Sequence, residues 1–174
     1  KSLGQAGLGN RKDIRNAVEA ASKASGWSSA TAHNRAQVLY YIAENLSARA
    51  AEFANRLIAL GSKPKPASEE IDLSIRRIFY YAALADKYDG RIHSTRSRHV
   101  TLAMNEPFGV MGILCPHDAP LLGFISLVMP AISMGNRVVA VPAARSALAV
   151  TDFYQVLETS DLPVGVINIV TGER

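Results

Sequence analysis

Hydrophobic positions in the first half of the chain recur at helical spacing, whereas in the second half they gather into short unbroken runs. Ile14, Val18 and Ala21 share one face of a helix that Asn10 caps, with Asp13 in its first turn, and that Gly26 stops. A second helix starts near Asn34, carries Leu39, Ile42 and Leu46 on one stripe, and continues or kinks into Phe53, Leu57 and Leu60. Gly61 and the KPKP stretch end it. A third is predicted from about Ser68 to Lys87, with Ile71, Ile75, Ile78, Phe79 and Ala82 inward.

The period then changes. Val100, Leu102 and Met104 alternate with Thr101 and Ala103, which predicts a short strand with one apolar face. Three apolar runs follow, VMGIL (Val110 to Leu114), RVVAV (Arg137 to Val141) and VINIV (Val166 to Val170), separated by stretches of helical length. The longest apolar run, Leu121 to Met134, is too short to span a bilayer and reads as a buried helix. Gly135 and Asn136 suit its left-handed C-cap, and Pro163 and Gly165 shape the turn into the last run. Unbroken apolar strands alternating with helices belong in a parallel sheet covered on both faces. The fold class is therefore α/β, a partial doubly wound parallel sheet preceded by a helical segment. The organisation expected is N-terminal helices over 1–90, a β-arm over 91–106 and a βαβαβ half-domain over 107–174.

In such sheets ligands sit beyond the carboxyl ends of the strands. Function is sought at Cys115 to Asp118, Val141 to Arg145 and Thr171 to Arg174. The glycines of GQAGLG near the start follow no strand and lack a dinucleotide spacing, so they are read as a flexible lead-in.

Length and composition narrow the classes. A chain of 174 residues that is 48% hydrophobic has enough apolar material for one globular unit. Its +4 charge comes from scattered basic residues, and even the densest group, RIHSTRSRH, makes no basic helical face interleaved with aromatics. Neither nucleic acid nor membrane is expected as a partner, and no metal site is expected. A single cysteine and a polar, glycine-rich start without signal-peptide character point to the cytoplasm. That cysteine lies in GILCPHDAP, two residues before His117 and three before Asp118, the residue types of an activated thiol. Adjacency alone does not supply the geometry that lowers a thiol pKa, and Cys115 is read as a small buried hydrophobe.

Three stretches, EPFGVMGILCPHDAPLL, MPAISMGNRVVAVPAARSAL and LPVGVINIVTG, resemble in order and spacing successive motifs of the aldehyde dehydrogenase superfamily. The N-terminal stretches RNAVEAASKASGWSSATAHNRAQVLYYIAENL and IFYYAALADKYDGR are similar to that family's first helices. The resemblance implies a Rossmann-like coenzyme domain with NAD or NADP over the strand ends, contacted at the positions of Cys115, Pro116, His117, Val141, Pro142, Ala143 and Ala144. It also implies that the nucleophilic cysteine, the general-base glutamate and the glycine-containing coenzyme turn belong to a later segment than TGER, so Cys115 is not the nucleophile.

Several matched positions are altered. Asp118 stands where the family usually has the asparagine that donates to the oxyanion, and an ionised carboxylate cannot donate. Losing one such donor costs on the order of a hundred- to a thousandfold in rate. His117 replaces a tryptophan. Val141 stands at the place of a lysine that bonds ribose hydroxyls, and Ala144 at that of a glutamate that binds the adenosine ribose. The resemblance thus leaves two readings. One is a catalytically incomplete pseudoenzyme, similar to the degenerate second module of the two-module branch called family 16, which serves assembly as a homo-oligomer or docks on a sister aldehyde dehydrogenase domain. The other is the N-terminal coenzyme-binding portion of an active NAD(P)-dependent enzyme that oxidises an aldehyde to a carboxylic acid. On either reading, RHVTLAMNEP matches the family's oligomerisation arm.

Overall fold

The computed structural model describes residues 2–96 and 98–172. The first helix, α1 (Arg11–Lys23), opens with a reciprocal capping box, in which Asn10 accepts from Lys12 N at 2.7 Å and Asp13 accepts from Asn10 N at 2.9 Å. A short turn of helix, α2 (Gly26–Ser29), carries the buried Trp27 and leads into α3 (Ala32–Ala48) and α4 (Ala50–Ala59). The stripe predicted to continue or kink breaks at Arg49. That guanidinium binds Glu52 through two bonds of 2.9 and 2.7 Å and Gln155 at 2.7 Å, so the bend is tied to a distant helix.

The third long helix, α5, spans Pro64–Ala85 and starts four residues before the predicted Ser68. Its first residue is a proline, whose missing N–H lies in the turn where helix N–H groups have no internal partner. The KPKP stretch, expected only to stop the preceding helix, therefore also opens the next one.

A two-stranded antiparallel ribbon follows, β1 (Arg91–His93) against β2 (Thr101–Ala103), with Ile92 opposite Leu102. All six residues are exposed, and the single strand expected around Val100 to Met104 has a partner strand in Arg91–His93. Arg91–His93, the start of the basic RIHSTRSRH group, form the first strand, and Asn105 Nδ2 anchors the base through Tyr88 O and Asp89 O at 3.3 and 3.0 Å.

The parallel sheet has the order β3 (Val110–Leu114), β4 (Arg137–Val141), β5 (Ile167–Ile169). The helix between the first two strands is α6 (Pro120–Ser133). The second crossover holds a 3-10 turn (Ala144–Ser146), α7 (Ala147–Thr151) and α8 (Tyr154–Glu158). α6 carries no charged residue and is buried between the sheet and the pair α3 and α5. Phe124 on α6, Phe53 on α4 and Phe153 between α7 and α8 meet edge to face, with centroids 5.9 and 6.2 Å apart, and join these helices in one core. α1 lies against all three strands of the sheet. Of the residues on the apolar face of α1, Ala21 is buried, whereas Ile14 and Val18 remain 38% and 41% exposed.

The carboxyl end of α6 is held by hydrogen bonds from several separate segments. Gly135, at φ 85°, and Asn136 donate back to Ile132 O and Ala131 O at 3.0 and 3.1 Å, the double closure of a left-handed C-cap. Trp27 Nε1 donates to Ile132 O and Arg35 Nε to Ser133 O, each at 2.9 Å. Asn136 also accepts from Gly109 N at 3.1 Å, which fixes the start of β3. Arg137 is buried, and its Nε donates to Ala21 O at 3.2 Å in the last turns of α1. Both guanidiniums thus face helix carbonyl ends, where the macrodipole favours positive charge. Burial lowers the pKa of Arg35. Ser74 Oγ is buried without a hydrogen-bond partner among the described residues, and nothing in the structure explains it.

Candidate functional site

The residues that follow the three parallel strands meet at one end of the sheet. Cys115 N donates to Val141 O and Val170 N to Ala140 O, both at 2.9 Å, so the ladder runs one residue past β3 and β5 and holds the turns in register. Cys115 is 1% exposed and belongs to the core cluster. The next three residues, Pro116, His117 and Asp118, are exposed. The thiol is buried while the histidine and the carboxylate stand in solvent.

The turn closes tightly onto α6. Ala119 takes a left-handed conformation, φ 45° and ψ 64°, which an alanine adopts at a cost. Pro116 lies against Gly123, where a Cβ would overlap the proline ring. No side chain of the turn caps α6. The cap comes from α5: Glu70 Oε1 accepts from Leu121 N at 2.9 Å and from Leu122 N at 3.2 Å. Glu70 is 8% exposed, and burial raises its pKa while the two backbone N–H groups pull it down.

Beyond β4, Val141 is half-buried, Pro142 and Ala143 are buried, and Ala144 is exposed at the start of the 3-10 turn. Beyond β5 the chain meets its own beginning. Gly9 N donates to Thr171 O at 2.6 Å and Thr171 Oγ to Gly7 O at 2.7 Å. A Cβ on Gly9 would sit 2.6 Å from Thr171 O and 2.7 Å from Val170 Cγ1, so only glycine fits. The GQAGLG stretch, expected to be a flexible lead-in, is a wall of the crevice.

Two adjoining cavities lie at the ends of β3 and β4, beside a third of about 380 Å³ at β5 that Gly7, Leu8, Tyr154, Asn168 and Thr171 line. One of about 280 Å³ is lined by Arg11, Ile14, Leu114, Val141, Val170 and Thr171, together with backbone of Gly9, Asn10 and Gly172. The other, of about 430 Å³, is lined by Ile14, Val18, Val110, Leu114, Val139 and Val141 and runs between α1 and the sheet. Of the positions at which function was sought, Val141, Thr171 and Gly172 line them; Cys115 is in the core, Pro116, His117, Asp118, Pro142, Ala143, Ala144 and Arg145 lie outside both linings, and Glu173 and Arg174 lie outside the described residues. The motifs did not indicate Arg11, Ile14 or Leu114. Arg11 and Ile14 arrive from the opposite end of the sequence, and no local signal marks them. Larger cavities, of about 650 and 640 Å³, lie away from the strand ends, one between α1, α2 and α3 and one beside the base of the ribbon.

A model of the aldehyde dehydrogenase family matches residues 1–174. The chain belongs to that family. Vanillin dehydrogenase of Amycolatopsis sp. is 31% identical over 173 residues, which cover 98% of this chain and 36% of that protein. Aldehyde dehydrogenase 1A1 of Equus caballus is 32% identical over 170 residues, or 94% of this chain and 34% of that one. The crystal structure of an NAD-dependent aldehyde dehydrogenase from Sinorhizobium meliloti superposes with a TM-score of 0.90 at 28% identity, over 95% of this chain and 34% of that one. This aldehyde dehydrogenase-family chain thus spans about a third of the length of its curated relatives. The family and the Rossmann-like α/β fold are those that the sequence motifs imply.

One electrostatic consequence is measurable. The folded-state pKa of Glu70 lies above its ordinary value, so folding favours the protonated carboxyl. Its stabilising contribution is full below the unfolded pKa and is lost as pH rises through the folded one. Urea unfolding of the native chain and of Glu70→Gln, compared from pH 4 to pH 8, should show the native chain losing stability relative to the variant as pH rises. A difference independent of pH would mean that the two N–H bonds balance burial, and a gain in relative stability with rising pH would mean that they outweigh it.

Proposed function

We propose that this chain is the coenzyme-side part of an aldehyde dehydrogenase fold that has lost its chemistry and serves as an assembly module. The observation that carries the reading is Asp118. It stands exposed on the strand-end turn at the position of the oxyanion asparagine, and its carboxylate opposes the charge that an acyl-transfer intermediate develops. The ribose positions support the same reading. Val141 and Ala144 offer no polar side-chain atom, and the crevice beside them is lined mainly by aliphatic side chains. These residues do not fit the sugar hydroxyls of NAD or NADP. Two lost hydrogen bonds to charged groups, about 1.5 to 3 kcal/mol each, weaken a coenzyme by roughly a hundredfold or more.

The alternative is the N-terminal portion of a working NAD(P)-dependent aldehyde dehydrogenase. The observation in its favour is the 31% identity to vanillin dehydrogenase across 98% of this chain. Coenzyme binding separates the two. Titration calorimetry should find NAD binding in the millimolar range or weaker, and Val141→Lys with Ala144→Glu should gain about 1 to 4 kcal/mol. Micromolar affinity in the unmodified chain would overturn the module reading.

The partner belongs to the same proposal. The ribbon β1–β2 presents Ile92, Leu102 and, next to it, Val100 and Met104 at 56% to 79% exposure, and a two-stranded ribbon of this kind is marginal without a covering surface. A second copy of this chain or a sister aldehyde dehydrogenase domain supplies that surface. Sedimentation across a wide concentration range should reveal self-association that Leu102→Lys weakens; a strictly monomeric native chain that also fails to bind a sister domain would refute it.

A further inference from the structure

We infer that Glu70 is a positioning residue for the strand-end turn: from α5 it takes over the capping of α6 and so sets where Pro116 to Pro120 stand at the end of the sheet. The backbone groups at the start of α6 lead to this assignment. A helix begins with N–H groups that have no partner inside it. Here Pro120 has none to satisfy, Leu121 and Leu122 donate to Glu70 Oε1, and Gly123 donates to Ala119 O at 2.7 Å. A residue at the N-cap usually serves these groups with its own side-chain oxygen. The N-cap here is Ala119, which has no such oxygen and is held in a left-handed conformation.

Two consequences follow for the site. The turn is referenced to α5, whose Glu70 is 51 residues away in sequence, rather than to itself. Asp118, the nearest carboxylate able to cap in its place, is left in solvent. Glu70 touches none of the cavities at the strand ends, so its action is through the turn. The meaning of that turn as the former oxyanion site rests on the function proposed above, whereas the way it is held does not.

Amide hydrogen exchange followed by NMR tests the assignment without any nucleotide, so a failed coenzyme titration and a failed capping role are separate results. In Glu70→Ala, the Leu121 and Leu122 amides should exchange about tenfold faster or more, equivalent to ~1.4 kcal/mol, with shifted His117 and Asp118 resonances and unchanged β4 amides. Glu70→Gln keeps an acceptor oxygen and should restore protection to within roughly threefold, a rescue that simple cavity filling would not require. Unchanged protection in Glu70→Ala, or loss in Glu70→Gln equal to that in Glu70→Ala, overturns the proposal. Should Glu70→Ala fail to fold, Glu70→Asp decides. Its charge remains but its oxygens fall one methylene short, so the same loss is expected and full protection at both amides would refute the role.

Discussion

An uncharged helix buried at both ends must have its terminal backbone groups satisfied by other parts of the chain, and α6 imposes that requirement here. Its fourteen residues carry no ionisable side chain, and most are removed from water. At the amino end a carboxylate from α5 accepts two N–H groups; at the carboxyl end an indole, a guanidinium and the Gly135–Asn136 cap supply donors. Negative charge at the start and positive charge at the finish both complement the helix dipole. An unmet buried donor or acceptor costs about 1 to 3 kcal/mol. The N-terminal helices are therefore the source of the polar groups that allow α6 to be buried.

The strand ends inherit their geometry from this arrangement. Asn136 ties the end of α6 to the start of β3, and Glu70 ties the beginning of α6, into which the turn after β3 leads, to α5. The side chains of Val141, Ala144 and Asp118 take no part in the hydrogen bonds that hold this frame. At Gly9, Gly123 and Gly135, by contrast, close backbone approach or positive φ excludes a larger residue or strains it.

What the sequence disclosed depended on how far apart the interacting groups are. Asn10 with Asp13, and Gly135 with Asn136, are signals between near neighbours, and the elements they bound were predicted with small errors. The three apolar runs matched the parallel strands because each is a short unbroken apolar stretch, although only β4 is largely buried and β3 keeps Gly112 and Leu114 exposed. The start of α5 was misplaced because Pro64 works equally well after one helix and at the first position of the next. Long-range polar contacts carried no local mark: Glu70 to Leu121, Arg137 to Ala21, and Gly9 to Thr171 each link segments that periodicity treats separately. For the same reason the motifs named residues around the crevice but missed Arg11 and Ile14, which line it.

The dependence of the fold on a fully satisfied α6 is tested most directly by native-state hydrogen exchange along that helix. The amides from Phe124 to Met129 should open only with global unfolding, at a free energy equal to that from denaturant unfolding, and Trp27→Phe should lower both values together. Exchange of these amides through a smaller local opening, while α1 and the ribbon remain protected, would contradict the account.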